Sequence, residues 1–146
     1  RRLEAVARSL SVQLQIVTVK KPEEIENAFS SMVKGKAEAV TVGTQAMFVL
    51  NRTTIVEMAA KSRLPAIYHR NDFVKAGGLM SYGADFDDLY RRAAVYVDKI
   101  LKGAKPADLP VQQATKFEFV INLKAAKQIG LTLSPEFLSR ANRVIK

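Results

Sequence analysis

Apolar and polar positions along the chain switch repeatedly between a helical and a strand period. Leu3, Val6, Ala7 and Leu10 recur at helical spacing, so residues 1–10 read as the end of a helix. From Val12 to Val19, apolar and largely β-branched residues alternate with Gln and Thr, which predicts a strand. Pro22 suits a first helical turn, and Glu23 and Glu24 sit at the positive end of the dipole. Ile25, Ala28, Phe29, Met32 and Val33 give that helix one apolar stripe, and Gly35 ends it. Ala39 to Gly43 is a short apolar strand. Residues 51–62 predict a helix with Ile55, Met58 and Ala59 on one side, and Leu64 to Tyr68 the next strand. Gly77 and Gly78 make a turn before a short strand from Leu79 to Tyr82.

The clearest amphipathic pattern follows. Asp85 is placed to cap a long helix from Phe86 to Lys102, with Phe86, Leu89, Tyr90, Ala93, Val97, Ile100 and Leu101 on one face. Gly103 stops it, and the two prolines between Ala104 and Gln113 mark a surface connection. Phe117 to Ile121 is a further strand. Asn122 caps a short helix ending at Gly130, and Ser134 with Pro135 opens a last helix carrying Phe137, Leu138, Ala141 and Val144.

Strands that alternate with helices of this length predict an α/β fold: a parallel sheet flanked by helices, joined by right-handed crossovers. Helix 1–10 has no strand before it, so the first strand of the repeating unit is expected outside these residues. A chain of 146 residues is enough to bury one core. No stretch approaches the roughly 20 apolar residues that span a bilayer. No secretory leader opens the chain; Arg1 to Leu10 read as a helix already under way.

The formal net charge of +9 raises the question of an anionic partner. The basic residues are scattered, from Lys20 and Lys21 to Arg140 and Arg143, with no dense run and no interleaved aromatic platform. They read as solvated helix faces, and no nucleic-acid partner is expected. The chain has no cysteine and one histidine, His69, which removes disulfides, cysteine-ligated zinc and a histidine-built metal site. There is no phosphate-binding loop, dinucleotide fingerprint or nucleophile elbow. No catalytic residue, metal or cofactor is expected. Asp85, Asp87 and Asp88 cluster, but carboxylates in a first helical turn complement the macrodipole.

Candidate binding residues come from position in the fold. In open α/β sheets, ligands bind outside the carboxyl ends of the strands. Thr44 and Gln45 follow one predicted strand, and His69, Arg70 and Asn71 follow another. Tyr82 ends the strand after the double glycine and offers an aromatic wall. The same residues would serve equally as loop residues, and Tyr82 as a core or hinge-packing tyrosine.

Several blocks in order carry a family resemblance. They are Leu64-Pro-Ala-Ile-Tyr68, Phe73-Val74, Ala76-Gly-Gly-Leu-Met-Ser-Tyr-Gly83 and Asp88-Leu-Tyr-Arg-Arg-Ala-Ala94. Further on are Tyr96 to Val111, Thr115 to Lys124, and Gly130-Leu-Thr-Leu133. Together they cover most of residues 37–146 and are similar to the ABC-transporter substrate-binding family that includes tryptophan/tyrosine-type binding proteins. The resemblance implies the C-terminal lobe of a type I periplasmic-binding-protein fold. It implies a lobe core over residues 1–83, a crossing segment with its long helix over 84–113, and a return strand with terminal helices over 114–146. It also implies a small-molecule solute gripped between two lobes by hinge closure, an ABC permease as partner, and a periplasmic or extracytoplasmic site at the membrane transporter. Ligand-binding roles for Thr44, Gln45, His69, Arg70 and Tyr82 follow from position in such a lobe. Many relatives carry Pro-Asp-Pro where this chain has Thr44-Gln45-Ala46, and an amide at Gln45 cannot pair with a ligand ammonium. Arg70, if it faces the cleft, favours a carboxylate-bearing solute. With its partner lobe absent, helix 86–102 is expected to drive self-association into a homodimer. The competing reading is the ligand-sensing domain of a transcription regulator with the same fold.

Overall fold

The computed structural model describes residues 2–146, without the side chain of Arg2. Its centre is a five-stranded sheet in the order β1-β2-β3-β4-β5. The strands are β1 (Val40–Thr41), β2 (Ala66–Tyr68), β3 (Met80–Ala84), β4 (Phe117–Asn122) and β5 (Arg143–Ile145). β1, β2 and β3 run parallel, with Thr41 opposite Ile67 and Tyr68 opposite Ser81. β4 returns antiparallel to β3, placing Tyr82 opposite Phe119, and β5 runs parallel to β4. The helices are α1 (Arg2–Ser9), α2 (Ile25–Lys34), α3 (Ala46–Leu50), α4 (Arg52–Lys61), α5 (Asn71–Lys75), α6 (Phe86–Leu101), α7 (Leu123–Gln128) and α8 (Pro135–Ser139).

Helices flank the sheet, as the alternating pattern predicts. The larger core joins Ile25 and Phe29 of α2, Ile55, Val56 and Ala59 of α4, and Phe73 of α5 to Ala66 and Tyr68 of β2. Phe73 is fully buried and stacks on Tyr68 with ring centroids 4.6 Å apart. Burying such a ring stabilises the fold by about 1.5–3 kcal/mol. A smaller core joins Leu79 to Ala125 and Ala126 of α7, with Met80, Ile129, Leu131 and Leu133 packed around it. The caps read from the sequence are made: Asp85 accepts from the Asp88 N–H, Asn122 from Ala125 and Ser134 from Phe137.

Two expectations need correction. Residues 12–19 have no regular structure and join no ladder among the described residues; with β1 they line a cavity of about 940 Å³. The last helix stops at Ser139, and Val144 belongs to β5 instead. The cause is Asn142, whose side-chain oxygen accepts from the Phe119 N–H at 2.7 Å and whose own N–H donates to the Phe119 carbonyl at 2.9 Å. That clip lays the chain along β4. α3 and α5 occupy stretches in which the sequence pattern predicts no element; one helical turn is too short to show a period.

α6 stands apart from the core. None of its residues is buried, and Tyr90, Val97, Ile100 and Leu101 of its apolar face are exposed. The connection after it folds back along the helix, where the Tyr96 hydroxyl donates to the Pro110 carbonyl at 2.6 Å.

Candidate functional site

The carboxyl ends of β1, β2 and β3 form one rim. The Val42 N–H donates to the Ile67 carbonyl, so the turn carrying Gly43, Thr44 and Gln45 begins beside the end of β2. Gln45 sits in extended backbone at the start of α3, and its side-chain oxygen folds back onto Gly43, where a Cβ would meet it. His69 and Arg70 follow β2 directly and lead into α5. Gly83, on β3, lies against His69 so closely that a Cβ there would fall on the His69 carbonyl oxygen. Only a glycine lets the two strands converge at this point.

Arg70 is held on two sides. Its guanidinium pairs with Asp72 at 2.6 Å and lies over the Phe86 ring, 4.1 Å from the centroid. Asp72 therefore offsets part of the charge that Arg70 would offer to a solute, while Phe86 fixes the plane of the fork. Beside it, the Asn71 side chain donates to Glu118 at 3.0 Å, and Glu118 also faces Arg143 at 3.7 Å. The His69 imidazole lies edge-on to Phe73, 5.8 Å between centroids. Burial lowers its pKa first, and the Arg70 cation lowers it further, with Asp72 opposing.

Tyr82 is placed differently. It is 57% exposed and stacks on Phe117, 5.9 Å between centroids, with Phe119 edge-on to it and Phe137 beyond. This aromatic row lies on one face of the β3–β4 pair. The structure thus brings His69, Arg70 and the turn at Thr44 and Gln45 to one rim, and sets Tyr82 on the adjoining crossing strand.

The crossing itself is pinned. Lys116 and Asp85 pair at 2.9 Å, and the Asp85 N–H donates to the Lys116 carbonyl. The Lys116 ammonium and then the Asp88 N–H hold the Asp85 carboxyl below the usual carboxylate range, and Asp85 in turn raises Lys116. Asp88 pairs with Arg92 at 2.9 Å, and Arg92 reaches Thr115. The acidic cluster is therefore a helix cap and two ion pairs, and no metal-ligating group is found among the described residues.

Sequence reasoning missed Gly83, Asp72, Phe86 and Glu118. Asp72 had a signal, since an acid two residues after an arginine in a turn can close on it. Glu118, between Phe117 and Phe119, breaks a strand's apolar run and so marks a face with polar company. Gly83 and Phe86 gave no signal beyond an ordinary glycine and an ordinary stripe residue. One cavity, beside β1, reaches Val42 and Gly43 of the rim turn, and another of about 380 Å³ lies between α6 and the connection after it. Neither is lined by Thr44, Gln45, His69, Arg70 or Tyr82. A rim open on one side holds a ligand only when something closes over it.

Comparison with known proteins agrees with the architecture. A tyrosine-binding protein of Clostridioides difficile is 27% identical over 108 residues, which is 74% of this chain and 31% of that protein. A solved ABC domain in complex with L-Trp, from Streptococcus pneumonia, superposes with a TM-score of 0.86 at 29% identity. It covers 99% of this chain and 48% of that one. A conserved domain protein from Vibrio cholerae gives a TM-score of 0.87 at 25% identity, over 98% of this chain and 48% of its own. The chain thus spans about half the length of these solved structures and less of the curated relative. The family described as ABC transporter substrate binding protein matches residues 1–145. A mixed α/β sheet with an open rim, relatives of this kind and a match over nearly every residue lead to one assignment: the chain belongs to the ABC transporter substrate-binding protein family.

Proposed function

We propose that residues 1–146 form one lobe of the solute-binding component of an ABC importer, which grips a small molecule between two lobes by hinge closure and delivers it to a membrane permease. In this reading residues 1–83 are the lobe core, 84–113 the crossing segment with its helix, and 114–146 the return. The component works outside the cytoplasm, beside its transporter. It needs no covalent chemistry, since closure shifts affinity only through contacts made in the closed state.

The observation that carries the reading is the rim at the ends of β1, β2 and β3. It concentrates polar groups at the place where open α/β sheets take ligands, yet leaves them uncovered on one side. Relatives whose names give tyrosine binding and an L-Trp complex support an amino-acid solute. Arg70, oriented by Phe86, is the group that would meet its carboxylate, with Asp72 displaced or shared. Exposed Tyr82 and Phe117 offer a face to an aromatic side chain. Gln45 supplies an amide and no charge, so the ligand ammonium must find its partner elsewhere. When the lobe stands alone, the apolar face of α6 makes it self-associate.

Titration calorimetry on a protein carrying both lobes tests this. L-Trp and L-Tyr should bind, and Arg70→Ala should weaken binding about tenfold or more, the loss of one charged hydrogen-bond pair. Binding unchanged by Arg70→Ala removes Arg70 from the site. Failure of the intact protein to bind any amino acid removes the solute class.

A further inference from the structure

The segment that follows β2 is built into the crossing strands. An added Cβ on Gly83 would fall on the His69 carbonyl oxygen. Gly83 is the partner of Glu118 across β3 and β4, and residues paired in this way point to the same face. The chain at His69–Asn71 therefore passes over Gly83 on the face from which the Glu118 side chain rises. There the Asn71 amide donates to Glu118 Oε2 at 3.0 Å, across 47 residues of sequence. Oε1 of the same carboxylate faces Arg143 of β5 at 3.7 Å.

The two contacts of Glu118 differ in weight. A hydrogen bond to an ionised carboxylate is roughly twice as strong as a neutral one. The Arg143 pair is long, and the Arg143 side chain is 47% exposed, so solvent screens it. Two residues along β4 on the same face, Val120 is fully buried. An apolar side chain at 118 would extend that core; a carboxylate there serves the Asn71 amide.

Asn71 opens α5, and Arg70 precedes it in extended backbone. Holding Asn71 fixes the point from which the Arg70 side chain leaves. The far end of that side chain rests on Phe86, the first residue of α6, 4.1 Å from the ring centroid. β3 leads out to α6 and β4 returns from it. Arg70 is thus held at its root by the returning strand and at its tip by the outgoing one.

We propose that Glu118 is a positioning residue of the rim: through Asn71 it sets the angle of the Arg70 segment to the crossing strands, so that a twist of the crossing turns the guanidinium. Glu118 acts through Asn71 and does not touch the solute. The inference rests on the reading of Arg70 as the partner of a solute carboxylate, and it adds the group that aims it.

The test uses the protein carrying both lobes and three ligands, compared by calorimetry. They are L-Trp, 3-indolepropionate, which lacks the ammonium, and L-tryptophanamide, which lacks the carboxylate. Glu118→Ala should weaken L-Trp and indolepropionate alike by about three- to tenfold, the worth of one hydrogen bond, and leave tryptophanamide unchanged. Asn71→Ala, a milder change at a helix end, should do the same, and the double variant should lose no more than either alone. Glu118→Gln keeps an acceptor for the Asn71 amide and should regain most of the affinity. The NMR signal of the Arg70 Nε–H should shift in Glu118→Ala and hold its place in Glu118→Gln. Losses that add in the double variant, or an equal loss for all three ligands, overturn the proposal. A loss that spares indolepropionate means that Glu118 meets the ammonium directly, and overturns it too. If the parent protein binds no amino acid, the solute reading falls by itself; the positioning role then stands or falls on the Arg70 Nε–H signal, and a signal unmoved by Glu118→Ala overturns it.

Discussion

Replacing Gly83 by alanine tests whether the rim is built on a forced approach of two backbones. The added Cβ would sit on the His69 carbonyl oxygen, with the His69 carbonyl carbon at 2.9 Å and its Cα at 3.6 Å. The contact would be 2.0 Å, whereas carbon and oxygen settle at about 3.3–3.6 Å, so β2 and β3 would have to part by well over about 1 Å there. No flexible side chain can yield instead, because the obstacle is main chain. One residue before His69 and two before Gly83, Tyr68 faces Ser81, and both are buried. Overpacking of this kind costs about 1–3 kcal/mol. The alanine recovers only about 0.4–1 kcal/mol from a stiffer unfolded chain. The balance is a loss of about 1–2 kcal/mol. With a urea slope of about 2 kcal/mol/M, the unfolding midpoint should fall by about 0.5–1 M. A midpoint that stays or rises, with unchanged amide shifts at His69, would refute the reasoning.

Two further outcomes are expected. His69 titrates below its ordinary value in the folded chain, so the unfolded chain binds the proton first as pH falls. Stability should therefore decline as pH drops from about 6.5 through the folded value, and His69→Gln should flatten that part of a stability–pH curve. The apolar face of α6 should make the isolated chain dimerise at high micromolar concentration; light scattering should report a monomer for the double variant Val97→Glu, Leu101→Glu, and a monomeric parent chain would refute the idea.

The longer helices were legible because each carries a period long enough to count, and the β1–β3 unit because short apolar runs alternate with those helices. α6 showed its full stripe and its cap, and α2 its stripe and terminal glycine. The return of β4 against β3 was not legible, because the strand itself carries no sign of direction. The terminal strand was hidden because Leu138, Ala141 and Val144 share a helical spacing, and the Asn142 clip that overrides it is a tertiary contact. Residues 12–19 show the reverse case: the local pattern of a strand is present, yet no strand among the described residues pairs with it. At the site, position relative to strand ends brought out His69, Arg70, Thr44 and Gln45. What orients Arg70 is Phe86, 16 residues away in sequence and a member of another element's apolar face, so no local pattern could reveal it.

The tie between Lys116 and Asp85 makes a rigid corner out of two chain segments that enter and leave the crossing. A tilt of α6 must drag the beginning of β4 with it, and Phe117 is the next residue along. Since Phe117 rests on Tyr82, leverage applied to the helix arrives at an aromatic pair on the sheet face, so displacement of a distant partner would be felt as a change in ring stacking.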